Sequence, residues 1–232
     1  MSPVEERLQQ NLALVRQRID SACRRAARDP ALVGLVAVTK YAHVDWIASL
    51  ARLGVHTFGE NRPQQLVERA ALWPGDDWHL IGQLQRNKVR SVLPHNPLIQ
   101  SVDSLRLLRR ISDVSGELQR RTRVLLQVNV SGEASKQGIS PVELLQTWPL
   151  FESTPNVIIM GLMTMAPLAE DPEDARPTFR GLRELRDELR ALPGEPRLPP
   201  ILSMGMSHDM EVAIEEGATL VRIGSALFDG LS

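Results

Sequence analysis

Apolar positions recur along the chain with two alternating periods. From Val4 through Leu8, Leu12, Val15 and Ile19 they fall three or four residues apart, which predicts an opening helix over 3–28 closed by Pro30. The stretch "LVGLVAVTK" (32–40) then becomes continuous and partly β-branched, the pattern of a strand covered on both faces in a parallel sheet. Strand-like runs fall at 33–39, 55–58, 78–82, 98–102, 123–130, 157–164, 200–204 and 220–223. Helical patterns separate them at about 44–53, 63–72, 86–93, 104–119, 141–149, 173–191 and 208–216. Such an alternation points to a parallel sheet. Eight βα units in 232 residues fit a closed (β/α)8 barrel of the TIM type better than an open doubly wound sheet, for which roughly six strands are usual.

Only "SALFDGLS" (225–232) follows the eighth strand, too little for a closing helix, so the extra N-terminal helix is expected to cover the face left open. No stretch reads as an interdomain linker, and the Pro-rich run "LPGEPRLPP" (192–200) reads as the loop into the seventh strand. Residues 1–232 are therefore expected to form one domain.

Composition narrows the partners. The chain is 43% hydrophobic and 24% charged with a formal net charge of −1, which lacks the basic excess that nucleic acid or an anionic membrane surface requires. Cys23 is the single cysteine, so no internal disulfide can form and a reducing compartment is expected. The N-terminal "MSPVEERLQQ" has no apolar signal core and no long apolar run follows. A cytoplasmic protein is the expectation.

In barrels of this kind the working groups stand at the carboxyl ends of the strands and in the loops that follow. Lys40 stands at the end of the first strand, where an ammonium is costly to bury without a partner or a covalent role. Polar residues gather at the same level in "FGENR" (58–62), "GQLQRNK" (82–88), "VNVSGEASKQGIS" (128–140), "MTMAP" (163–167), "SMGMSHD" (203–209) and "RIGSALF" (222–228). Ser207 reads as the N-cap of the helix after strand seven, and Gly224 with Ser225 offers backbone N–H groups after strand eight. Those two loops are the usual phosphate-binding place in such barrels. A lysine facing a phosphate cradle suggests a Schiff base with a phosphorylated carbonyl compound. Either an aldolase acting on a sugar phosphate or a protein holding pyridoxal 5′-phosphate (PLP) would fit. Arg222, which leads into the cradle, could lie under the ring of a bound cofactor.

Seven segments, in order, resemble the pyridoxal phosphate homeostasis protein family (YggS/PROSC-like): "AVTK" (37–40), "FGENRPQQ" (58–65), "WHLIGQLQRNKVR" (78–90), "SVDSL" (101–105), "VNVSGEASKQGIS", "GLMTMAP" (161–167) and "LSMGMSHDMEVAIEEGATLVRIGSALF" (202–228). The match spans almost the whole chain. The family is similar to the N-terminal barrel of alanine racemase and belongs with the fold-type III PLP proteins. The resemblance implies that Lys40 forms the internal aldimine, that Arg222 hydrogen-bonds the pyridine nitrogen, and that Ser207 with the backbone of Gly224 and Ser225 holds the phosphate. It places Asn61 near the cofactor and Ser203 and Met204 on the pocket wall. His79 and Met163 are weaker carry-overs, and a satisfied core histidine is an equal reading of His79. Arg62 stands where relatives often carry an aromatic residue. His208 reads as a solvated residue of the first helical turn, and Lys136 as a loop lysine close to the pocket mouth.

Racemisation needs acid/base groups on both faces of a carbanion, and the single tyrosine, Tyr41, adjoins Lys40. A guanidinium at the pyridine nitrogen also leaves the ring a poor electron sink. The expectation is a monomeric PLP-binding protein of vitamin B6 and amino-acid homeostasis without robust catalysis, with PLP-dependent enzymes as possible clients. A low-activity amino-acid racemase is the alternative. The aldolase reading falls away because Asp45 is the one acidic residue the sequence places near Lys40.

Overall fold

Ser2 begins the first element. Its side chain accepts the N–H of Glu5 and Pro3 occupies the first turn, so α1 (Pro3–Arg25) starts on a satisfied cap. The computed structural model describes residues 2–133, 136–192 and 200–231. Strands and helices then alternate: β1 (Gly34–Val38), α2 (Val44–Arg52), β2 (Thr57–Glu60), α3 (Pro63–Leu72), β3 (Asp77–Leu80), α4 (Val89–Val92), β4 (Leu98–Val102), α5 (Leu105–Glu117), β5 (Thr122–Gln127), α6 (Pro141–Glu152), β6 (Val157–Met163), α7 (Arg176–Ala191), β7 (Ile201–Ser203), α8 (Met210–Glu215) and β8 (Leu220–Ile223). Each strand pairs in parallel with the next, and β8 returns to β1 with Leu220 to Ile223 opposite Gly34 to Ala37. The described strands thus close the expected (β/α)8 barrel.

Side chains alternate across the barrel wall. Outward positions such as Ala37, Phe58, Leu80, Ile99, Leu126, Leu162 and Leu202 merge with helix residues Ile47, Leu66, Ile111 and Phe179 into one apolar layer. Inward, Leu98, Leu125 and Met163 form a second and smaller cluster with Met160, Ile201 and Leu220 packed against it. Arg222, Ser203, Gln100 and His79 bring polar groups into the same lumen, beside Val36, which positions the chemistry described below.

After Ile223 the described chain contains turns only. As expected, α1 fills the gap, packing against both α2 and α8. Its buried stripe is Leu8, Leu12, Val15, Ile19, Ala22 and Cys23. Asn11 Nδ2 donates to the carbonyls of Leu227 (3.0 Å) and Asp229 (2.9 Å), tying the chain beyond β8 to α1. Arg18 meets Glu211 at 2.8 Å, and Arg25 meets Glu211 and Glu215, each at 2.7 Å.

Several boundaries differ from the sequence pattern for identifiable reasons. β2 starts at Thr57 rather than near 55, because the Val55 N–H returns to the Leu50 carbonyl and Gly54, at φ +81°, closes the end of α2. The helix expected over 86–93 is a 3-10 turn (Arg86–Lys88), a single α turn and another 3-10 turn carrying Pro94. α6 continues through Pro149 to Glu152. The proline-rich stretch assigned to the loop before β7 falls mostly at 193–199, outside the described residues. Among the described residues no helix is long and apolar enough to cross a membrane.

Replacing Asn11 with Ala removes both bonds and leaves two chain-end carbonyls unmatched. A loss of about 2–3 kcal/mol is expected, read as a lower urea midpoint at unchanged m-value. An unchanged midpoint would show that α1 does not secure the barrel's last turn.

Candidate functional site

Lys40 sits in a tight turn immediately after β1. The turn closes when the Ala42 N–H donates to the Thr39 carbonyl at 2.7 Å. Helix α3 grips it from outside: Gln65 Nε2 donates to the Lys40 carbonyl (3.0 Å), and Arg69 donates to the carbonyls of Thr39 (2.6 Å) and Ala42 (2.7 Å). Arg69 is itself fixed by Glu60, the last residue of β2, whose Oε1 also accepts the Thr39 hydroxyl. Glu60 is fully buried, and its Oε2 has no hydrogen-bond partner among the described residues. Burial pushes the Glu60 carboxyl up, against the lowering effect of Thr39 and Arg69. Thus a buried ion pair anchors the backbone on both sides of Lys40. The lysine is half-buried, with Nζ 5.1 Å from the centroid of the exposed Tyr41 ring. The expectation that Asp45 is the one acid near Lys40 is corrected by Glu60, which bonds the adjacent Thr39, while Asp45 is exposed.

Arg222, on β8 opposite Val36, points its charge into the lumen. Nη1 donates to Ser203 Oγ at 2.8 Å and Nη2 to the Thr164 carbonyl at 3.0 Å. Burial lowers its pKa to about 10, partly offset by Asp209, so the guanidinium remains a donor at neutral pH. The positive charge inside the barrel is therefore fixed rather than titrating.

The loops after β7 and β8 meet. Gly205 adopts φ +91°, where an added Cβ would come within 2.5 Å of Ala213 Cβ, and this glycine turns the chain into the segment before α8. The Met206 N–H donates to Asp209 Oδ1 (2.6 Å), and the Met210 N–H to the Met206 carbonyl (2.9 Å). Ser207 is therefore not the N-cap of α8: it lies in the preceding turn, and Asp209 is the residue before the helix. Its carbonyl instead accepts Arg18 Nη1 (3.0 Å), and its Oγ accepts the Ala226 N–H (3.2 Å), which joins the two loops. The backbone N–H groups of Ser207, Gly224 and Ser225 donate to no protein acceptor among the described residues. Gly224 rests on Val38: a Cβ there would stand 3.4 Å from Val38 Cβ and its carbonyl oxygen. The cradle of free donors and the Lys40 turn thus share one rim of the barrel.

The remaining candidates divide. Asn61 is exposed at the end of β2, with its backbone locked against the next loop: a Cβ on Gly82 would fall 2.0 Å from the Asn61 carbonyl oxygen. Ser203 is buried in the lumen on Arg222. Met204 is corrected, because alternation along β7 sends it with Leu202 into the helix-facing core, away from the pocket wall. Met163 belongs to the inner apolar cluster, and His79 is enclosed in the lumen between Asp77 and Gln100. Arg62 is exposed before α3. His208 is exposed and donates from Nε2 to the Glu170 carbonyl at 3.0 Å. Lys136 reaches the Met165 carbonyl (3.4 Å) and Glu133 (3.8 Å). Gln65, Arg69 and Thr164 were not apparent in the sequence. The contact of Arg69 with Glu60 spans two elements, and Thr164 contributes a backbone carbonyl to Arg222.

A model of the alanine racemase N-terminal domain family matches residues 6–231. The pyridoxal phosphate homeostasis protein of Aquifex aeolicus is 43% identical over 226 residues, covering 94% of this chain and 96% of that protein. Two solved structures share the fold closely. An unknown protein from Bifidobacterium adolescentis superposes with a TM-score of 0.92 at 35% identity, covering 98% of this chain and 97% of that one. PipY of Synechococcus elongatus, solved with PLP bound, gives 0.83 at 34% identity, covering 95% and 99%. The barrel is thus of the alanine racemase N-terminal class. Within it, the chain belongs to the pyridoxal phosphate homeostasis protein family.

Removing one partner of the buried pair strands the other. Arg69→Met is expected to lower stability by about 3–5 kcal/mol, and adding Glu60→Leu to recover much of that loss. Denaturant midpoints of the two single variants and the double variant test the clamp, and simple additivity would dismiss it.

Proposed function

We propose that the chain binds PLP at the carboxyl end of its barrel and holds it chemically quiet, serving vitamin B6 and amino-acid homeostasis. The observation that carries this reading is the shared rim, with a lysine on β1 beside free backbone donors after β7 and β8, above a permanently charged arginine. The donor set suits the cofactor: an amine for its aldehyde, N–H groups and a hydroxyl for its phosphate, and a guanidinium for its pyridine nitrogen. PLP supplies a reactive carbonyl and a ring that becomes an electron sink when its nitrogen is protonated. PipY, with PLP bound, supports the assignment.

Each residue has a definite task in this reading. Lys40 carries the cofactor covalently, and its turn is kept from shifting by Gln65 and Arg69. Ser207 accepts from Ala226 and keeps its own hydroxyl proton for a phosphate oxygen. Ser225 and Gly224 add backbone donors, Asn61 stands at the rim, and Ser203 holds Arg222. Arg222 donates to the ring nitrogen but gives up no proton, so the ring stays neutral and stabilises carbanions poorly. Tyr41 lies against Lys40 Nζ rather than across from it, which leaves a racemase without its second acid/base group. The protein is read as a cytoplasmic monomer, with PLP-dependent enzymes as its clients.

Lys40→Ala should abolish the visible absorbance of lysine-bound PLP and its fixation by borohydride while the protein stays folded. Retained fixation would move the attachment to another lysine, with Lys136 the first to examine. Ser207→Ala removes one hydrogen bond to a charged acceptor and should weaken PLP binding about tenfold or more; equal dissociation constants would take Ser207 out of the site. The ring's state separates carrier from racemase. With isotopically labelled PLP, the pyridine nitrogen of the wild type should show the NMR shift of an unprotonated nitrogen. A protonated ring together with measurable alanine racemisation would favour the racemase.

A further inference from the structure

Behind Arg222 a chain of hydrogen bonds crosses the barrel lumen. Arg222 Nη1 lies 2.8 Å from Ser203 Oγ, Ser203 Oγ 2.6 Å from Gln100 Oε1, Gln100 Nε2 2.7 Å from His79 Nδ1, and His79 Nε2 3.0 Å from Asp77 Oδ2. Arg123 Nη2 meets the other Asp77 oxygen at 2.8 Å. Ser203, Gln100 and His79 are all buried, so each polar atom must be matched inside the protein.

Only one assignment gives every link a donor and an acceptor and also finds a partner for the Ser203 hydroxyl proton. A guanidinium can only donate, so Ser203 Oγ is an acceptor toward Arg222 and its own proton goes to Gln100 Oε1. The Gln100 amide then donates to His79 Nδ1, which leaves the ring proton on Nε2, facing the Asp77 carboxylate. Turning the Gln100 amide over would make Ser203 accept from both neighbours and would leave its hydroxyl proton without a partner in this chain. All donors therefore point the same way, from Arg222 toward Asp77. Burial raises the Asp77 carboxyl, but the contacts from His79 and Arg123 outweigh it and hold it at about 2, so the terminal acceptor is a fixed anion.

We propose that Gln100 and His79 are positioning residues for Arg222: by committing the Ser203 proton away from the guanidinium they fix where its remaining donors point, and hence its contact with the PLP ring nitrogen. This deepens the reading given under Proposed function and rests on it only for the identity of the ring. Neither residue is expected to touch the cofactor.

The test reads Arg222 directly. In cofactor-free protein the side-chain nitrogen and hydrogen NMR signals of Arg222 report its fixation; in protein loaded with labelled PLP the ring-nitrogen shift reports the contact. Gln100→Leu should broaden or shift the Arg222 signals, move the ring-nitrogen shift, and weaken PLP binding about three- to tenfold, as for loss of one ordering hydrogen bond. Gln100→Glu still accepts from Ser203 and, with His79 taking a second proton at Nδ1 to face the new carboxylate, should restore the fixed Arg222 signals that Gln100→Leu loses. Asp77→Ala, at the half-exposed end of the chain, removes the terminal acceptor and should move both signals in the same sense as Gln100→Leu, and it decides the matter if the leucine variant fails to fold. Arg222 signals that are unchanged in Gln100→Leu or Asp77→Ala would overturn the proposal, even if the melting temperature falls. If wild-type protein takes up no PLP, the functional reading fails, yet the Arg222 signals still judge the positioning role.

Discussion

The pairing of β8 with β1 is the constraint on which everything else rests. Lys40 and Gly224 are far apart in sequence, and they share a rim only because Leu220 to Ile223 lie in register with Gly34 to Ala37. Among the described residues no helix follows β8, and α1 supplies the cover, through an apolar stripe, an asparagine on two carbonyls, and arginines on α8. Fold and site are therefore coupled at one seam: whatever loosens the seam moves the lysine away from the cradle.

Two buried arginines solve similar problems in different ways. Arg69 lies between a buried carboxylate and two carbonyls, and its charge is neutralised where it stands. Among the described residues Arg222 has no carboxylate in hydrogen-bonding contact, only a hydroxyl and a carbonyl, and burial lowers its pKa without discharging it. The first fixes backbone, and the second leaves positive charge available to a ligand. A buried cation without a paired anion is costly, and costly groups of this kind are characteristic of binding sites rather than of packing.

The architecture was legible in the sequence because helices and strands announce themselves by period, and eight repeats of the same unit leave few closed arrangements. Lys40, Ser207, Gly224 and Arg222 could be singled out because they stand at strand ends, a position that periodicity reveals. Local geometry was less legible. Ser207 looked like a helix cap, but the helix begins later, since Asp209 takes the Met206 N–H. Met204 sits among site residues in sequence yet faces the other side of the wall by simple alternation. Contacts between distant elements, such as Glu60 with Arg69 or Gln100 with Ser203, depend on register, and no single segment records it.

The placement of α1 also has a temporal side. α1 meets α2 early, but its other partners come late: Arg18 waits for Glu211, 193 positions later, and Asn11 for the Leu227 carbonyl, 216 positions later. During synthesis the Leu8, Leu12, Val15 and Ile19 stripe emerges long before α8 exists to cover it. Contacts this distant in sequence slow folding and prolong the exposure of sticky intermediates. The barrel is thus built to be assembled as a whole, and a growing chain has to keep its opening helix from sticking elsewhere until its final turn is made.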